Sequence, residues 1–85
     1  MATYLTIHVT QEDIDAGVPQ SSGNCPVALA MVGICDCPHV RSDGSMEFIY
    51  AGSITTYRSL RVHQFTKAFD QRQPVEPFSF RIRVP

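Results

Sequence analysis

The sequence predicts an α+β fold: a single, mostly antiparallel sheet of about five strands with helices packed on one face, forming one domain over residues 1–85. Three observations carry that prediction. Apolar and polar residues alternate near both ends of the chain, a wholly apolar stretch follows Pro26, and the region from Pro38 to Tyr57 is broken by two hairpin-type turns. A chain of 85 residues buries only about 60–65% of the surface its unfolded form exposes, so one core has to serve every element.

Leu5, Ile7 and Val9 alternate with Tyr4, Thr6 and His8, the period of two of a strand with one buried face. Thr10 ends it. Thr10 and Asp13 have the spacing of a capping box with Asp replacing Glu or Gln, and Val9 and Ile14 occupy the positions of a hydrophobic staple. A short helix is expected from Gln11 to about Ala16, closed by Gly17 in the left-handed conformation. Pro19, Ser21, Ser22, Gly23 and Asn24 are loop residues. Pro26 suits a first helical turn capped by Asn24 or Cys25, and Val27 to Val32 is apolar on every side until Gly33. A helix of that kind belongs at the centre of a core.

Pro38 to Tyr57 is expected to be a meander, with Val40-Arg41, Met46 to Tyr50 and Ile54 to Tyr57 as strands and Asp43-Gly44 and Ala51-Gly52 as turns. From a cap at Ser59, the residues Leu60, Val62, Phe65, Ala68 and Phe69 largely follow helical spacing, leaving Arg61, Lys67 and Arg72 toward water. Pro74 and Pro77 are expected to end that helix. Phe78, Phe80, Ile82 and Val84 then alternate with Ser79, Arg81 and Arg83 as a last strand. The predicted order is β-α-α-β-β-β-α-β, with the two terminal strands inside the sheet or beside each other.

Composition bounds the function. With 44% hydrophobic and 18% charged residues, the chain is far from the composition of disordered segments. No apolar run approaches the roughly 20 residues of a membrane span, and Met1 to Thr6 lacks a secretory signal, so the cytoplasm is the expected compartment. Three cysteines, two of them two positions apart, make a poor disulfide framework. Charge divides along the chain. Residues 1–57 hold six acids against Arg41, a balance of −5, and residues 58–85 hold six bases against Asp70 and Glu76, a balance of +4. Such a division marks either a basic contact face or two halves that attract each other in one fold. Seven bases against eight acids argue against a dedicated nucleic-acid binder.

Candidate chemistry comes from three groups. Cys25, at the head of the apolar helix, sits where backbone amides favour a thiolate, which would make it a nucleophile or redox site; the plainer alternative is a small buried cap. Cys25, Cys35, Cys37 and His39 supply three sulfurs and an imidazole, a tetrahedral zinc set. Against it, a Cys-x-Cys pair in an extended segment points its sulfurs to opposite sides. The outward residues of the terminal strands, Tyr4, Thr6, His8, Ser79, Arg81 and Arg83, would form a polar face if those strands are neighbours, able to hold a phosphate or carboxylate. Arg58, Arg61, His63 and Lys67 add positive charge to the third helix. Nucleophile elbows, phosphate loops, zinc-protease motifs and dinucleotide glycines are absent from the sequence.

Residues 9–30, with Cys-Pro-Val-Ala-Leu-Ala at their end, and residues 65–80, with Ala-Phe-Asp and Pro-Val-Glu-Pro-Phe-Ser-Phe, resemble a group of small, mostly uncharacterised proteins of tailed phages, prophages and bacterial genomes. The resemblance covers roughly half of the chain and leaves the central meander outside it. It implies a short accessory protein made in a bacterial host that binds and disables a host factor, antiviral defence included. No catalytic residues are established for that group, and none is carried over.

The expectation is therefore a non-enzymatic binding module without a cofactor, contacting a host protein through Arg58, Arg61, Lys67, Arg81 and Arg83. A small-molecule or nucleotide binder that sequesters a signal through His8, Arg81 and Arg83 is the second expectation. The third is zinc or thiol-redox chemistry at Cys25, Cys35, Cys37 and His39. A symmetric homodimer is the assembly that a chain of this size favours.

Overall fold

In the computed structural model, which describes residues 3–41 and 43–84, the elements run in the order β1 (Thr3–Val9), α1 (Gln11–Ala16), α2 (Pro26–Met31), β2 (Asp36–Val40), β3 (Ser45–Tyr50), β4 (Ser53–Arg58), α3 (Leu60–Asp70) and β5 (Phe78–Val84). The chain ends lie side by side. β1 and β5 pair antiparallel over seven positions, with Thr6 opposite Arg81. The meander forms a second sheet in the order β2-β3-β4.

The expected single sheet of about five strands is thus replaced by two sheets, of two and three strands. The reason lies in the edges. β2 carries Pro38, which has no N–H to offer a neighbour, and its register slips between Asp36 and His39 where Cys37 takes φ 48°. The Val40 N–H is taken by Ser22 O at 2.9 Å, so the loop before α2 closes that edge. At the other edge β4 is mostly exposed, Ile54 reaching 74%. The sheets are joined by α2, which packs against both β1 and β2, and by a direct approach of β4 to β5. The radius of gyration, 11.8 Å, matches the roughly 12 Å of a compact chain this long, as one shared core requires.

That core takes Ile7 and Val9 from β1, Val27, Ala28 and Met31 from α2, Met46 and Phe48 from β3, Val62 from α3 and Phe80, Ile82 and Val84 from β5. The alternation expected of the terminal strands is what delivers their apolar rows. α2 is enclosed less fully than its composition suggests. Pro26, Val27, Ala28 and Met31 are buried, Leu29 and Ala30 are half-buried, and Val32 and Ile34 beyond the helix face water.

Several helix ends depart from expectation. The capping box at α1 forms as spaced, Thr10 Oγ1 accepting the Asp13 N–H and Asp13 Oδ2 accepting the Thr10 N–H. Gly17, however, is extended at φ −70°. Its lack of a side chain serves close packing instead, because a Cβ there would lie 2.6 Å from the Cδ and Cγ atoms of Pro26. Leu60 is 70% exposed, and Thr66 takes a buried position on α3. α3 stops at Asp70, before either proline. Arg72 N–H bonds to Phe69 O and Gln73 N–H to Ala68 O, a Schellman closure with Arg72 in the left-handed region at φ 59°.

That closure gives a stability prediction. A β-carbon in the left-handed region costs about 1–2 kcal/mol, and glycine gives back part of this through its freer unfolded chain. Arg72→Gly is therefore expected to raise stability by about 0.5–1 kcal/mol, measured by urea unfolding. A loss of stability would contradict the assigned closure.

Candidate functional site

Because the period of a strand is two, the register of β1 against β5 decides which side chains share a face. Tyr4 stands opposite Arg83, Thr6 opposite Arg81, and His8 opposite Ser79. The polar face anticipated for adjacent terminal strands is therefore assembled. His8 Nδ1 and Ser79 Oγ are 2.7 Å apart, and the Arg81 guanidinium lies 5.4 Å from the centre of the Tyr4 ring, a diagonal cross-strand stack. Tyr4 is thus flanked by Arg81 on the diagonal and Arg83 directly across. None of the six outward residues is acidic, and among the described residues neither arginine has an ion-pair partner.

The other expected contact residues do not join this face. Phe78 belongs to the inward row of β5 with Phe80, and Arg61 lies over its ring at 5.9 Å, on the opposite side of the strand from Arg81 and Arg83. Phe65 meets the same ring at 4.7 Å with the planes tilted by 35°, so Arg61 covers the seam between α3 and β5. Lys67, six residues further on, points about 120° away around the helix. Arg58 ends β4, opposite Ser45.

The expected ligand set also divides. His8 borders a shallow hollow of about 360 Å³ with Thr10, Gln11, Pro77 and Ser79, but Arg81 and Arg83 lie outside it. Nor do the sulfurs and imidazole of the zinc set converge. Cys25 and Cys35 are buried, Cys37 and His39 are exposed, and among the described residues no three metal-binding side chains gather.

Cys25 caps α2, its Sγ accepting the Ala28 N–H at 3.5 Å. Burial pushes its thiol above the ordinary 9.0, outweighing the helix amides that favour the anion, and the carboxylate of Asp70 adds to the rise. The Cys35 thiol is raised as well, by burial and then by Asp36. The plainer reading of Cys25, a small buried cap, therefore holds, and a reactive thiolate at this helix head is disfavoured. A thiol whose folded pKa lies above its unfolded value contributes stability that is fully present below about pH 9 and lost as pH rises through the folded pKa. Urea unfolding is accordingly expected to show stability falling above pH 9, with a flatter decline in Cys25→Ala/Cys35→Ala. Iodoacetamide at neutral pH should label Cys37 and spare the other two; rapid labelling of Cys25 in folded protein would contradict this assignment.

A second site was not apparent from sequence. The loop at Gln20, Ser21 and Ser22, the helix head at Cys25, the end of β2 at Val40 and Arg41, and Thr66 and Asp70 of α3 surround a cleft of about 420 Å³. The loop is tied down on both sides. Gln20, at φ 61°, donates its N–H to Asp70 Oδ1 at 2.8 Å, and Val18 N–H bonds to Asn24 O at 2.9 Å. Thr66 is 4% exposed, and its hydroxyl has no hydrogen-bond partner. The available signal was spacing: Thr66 and Asp70 follow the buried Val62 at four and eight residues, on one face of α3.

Comparisons with known protein families, with curated proteins and with solved structures gave no match for the chain. No helix among the described residues is long and apolar enough to cross a membrane.

Proposed function

We propose that this chain is a non-enzymatic binding module that recognises an acidic surface of a host protein through the outer face of the β1–β5 ribbon. The supporting observation is the cross-strand arrangement of Tyr4 with Arg81 and Arg83, on a face without carboxylates. A tyrosine offers apolar area at low entropic cost, and arginine pairs bidentately with carboxylates, which are properties of interface hot spots. The chain's pI of about 6.2 favours a protein partner over nucleic acid.

Turnover has less support on this face. His8 and Ser79 form the one pair resembling a nucleophile and base, yet among the described residues nothing holds the other imidazole nitrogen. The resemblance of residues 9–30 and 65–80 to small phage and prophage proteins suggests the setting: an accessory protein acting in the bacterial cytoplasm to disable a host factor, such as a component of antiviral defence.

The test is capture from bacterial lysate by the immobilised chain. A partner retained by the native protein should be lost with Arg81→Glu/Arg83→Glu and kept with Arg58→Glu/Lys67→Glu, and its retention should weaken with salt. Unchanged capture by the first double variant would remove the ribbon face from consideration.

A further inference from the structure

We propose that the cleft between α3, the head of α2 and the loop at Gln20 to Ser22 binds a small zwitterion of free amino acid size, with its ammonium group toward Asp70 and Thr66 and its carboxylate toward Arg41. The site is separate from the ribbon face and stands or falls independently of it.

Its volume, about 420 Å³, lies within the range of small-molecule sites, roughly 300–1,000 Å³. The charges select the ligand class. Asp70 and Arg41 are the charged residues among those lining the cleft, they are opposite in sign, and among the described residues they form no ion pair with each other. A ligand with one charge of each sign satisfies both, whereas a lone anion would face Asp70 and a lone cation would face Arg41. No aromatic residue lines the cleft to stack a nucleobase, and Val40 alone offers aliphatic surface of any size.

Thr66 supplies the independent observation. A buried hydroxyl without a partner destabilises a fold, and valine would fill the same volume without that penalty. A threonine at this position on the cleft wall is explained by a ligand that donates to or accepts from it, and an ammonium group has three N–H donors to share with Thr66 and Asp70. Asp70 is already fixed for the purpose, since Oδ1 holds the Gln20 N–H. Ser21 and Ser22 add hydroxyls beside it.

The test is a titration of the ¹⁵N-labelled full chain, followed by amide chemical shifts, with the standard free L-amino acids as probes and with ethylamine and propionate as single-charge controls. Saturable shifts at Gln20, Ser22, Arg41 and Thr66 are expected for at least one amino acid, with affinity falling at least about tenfold for either control. Thr66→Val should keep a dispersed spectrum, melt at the same or a higher temperature, and lose binding at least about tenfold. Arg41→Gln should lose it as well. The proposal is overturned by any of three results: no saturable shift at millimolar amino acid, equal response to a single-charge control, or undiminished binding by Thr66→Val.

Discussion

Gly44→Ala is expected to lower stability by about 3 kcal/mol or more, and so the melting temperature by roughly 12 °C or more. Gly44 has φ +87°, and a β-carbon there would lie 2.5 Å from Ser59 O, 2.7 Å from His63 Cβ and 3.0 Å from His63 N. Two of these atoms belong to the backbone at the start of α3 and cannot swing aside. The Ser59 N–H also bonds to Gly44 O at 3.1 Å, so relief of the clash would pull the helix from the turn that seats it. α3 carries Thr66 and Asp70, so the cleft should open in the same variant. Thermal unfolding by circular dichroism checks the prediction, and a loss below about 1 kcal/mol would contradict the close seating of α3 on this turn.

Phe48→Ala is expected to cost about 3–5 kcal/mol. Phe48 is 1% exposed on β3 and heads the fully buried side chains by volume. Its removal subtracts apolar area and leaves a cavity that β3, pinned between β2 and β4, can close only in part. Net stabilities of domains are about 5–15 kcal/mol, so the variant should have a much lower urea midpoint. Ile54→Ala, on the exposed edge strand, serves as the control and should change stability by less than about 0.5 kcal/mol.

The features legible in the sequence are those set by local pattern. The terminal strands were readable because Leu5, Ile7, Val9 and Phe80, Ile82, Val84 alternate without interruption, and α1 because Thr10 and Asp13 form a cap from neighbouring residues alone. Ala51 and Gly52, with φ 51° and 80°, make the expected tight turn, which was legible from Gly52, since Ala51 carries a β-carbon into the left-handed region against its preference.

What escaped depends on residues distant in the chain. The division into two sheets arises from edges that Pro38 and the Ser22 to Val40 bond close, and strand pairing between distant segments leaves no local trace. Gly17 closes α1 as expected, its N–H bonding to Ile14 O, but from extended backbone, and what requires a glycine there is Pro26 across the loop. Arg61 and Lys67 share one expected contact surface, but helical spacing alone sets them about 120° apart. What the local pattern did not reveal is that Arg61 lies over the Phe78 ring of the distant β5. The cleft was hidden for the same reason, since its walls come from residues 20–25, 40–41, 66 and 70, and a polar Thr66 on a core-facing position reads as surface.

The pairing of the first and last strands in one register underlies the proposed contact face, and cross-strand nuclear Overhauser effects measure it directly. Contacts linking Tyr4 with Arg83, Thr6 with Arg81 and His8 with Ser79 are the expected result. Contacts shifted by one residue, joining Thr6 to Phe80 or Ile82, would turn one strand's polar row to the opposite side and contradict the account.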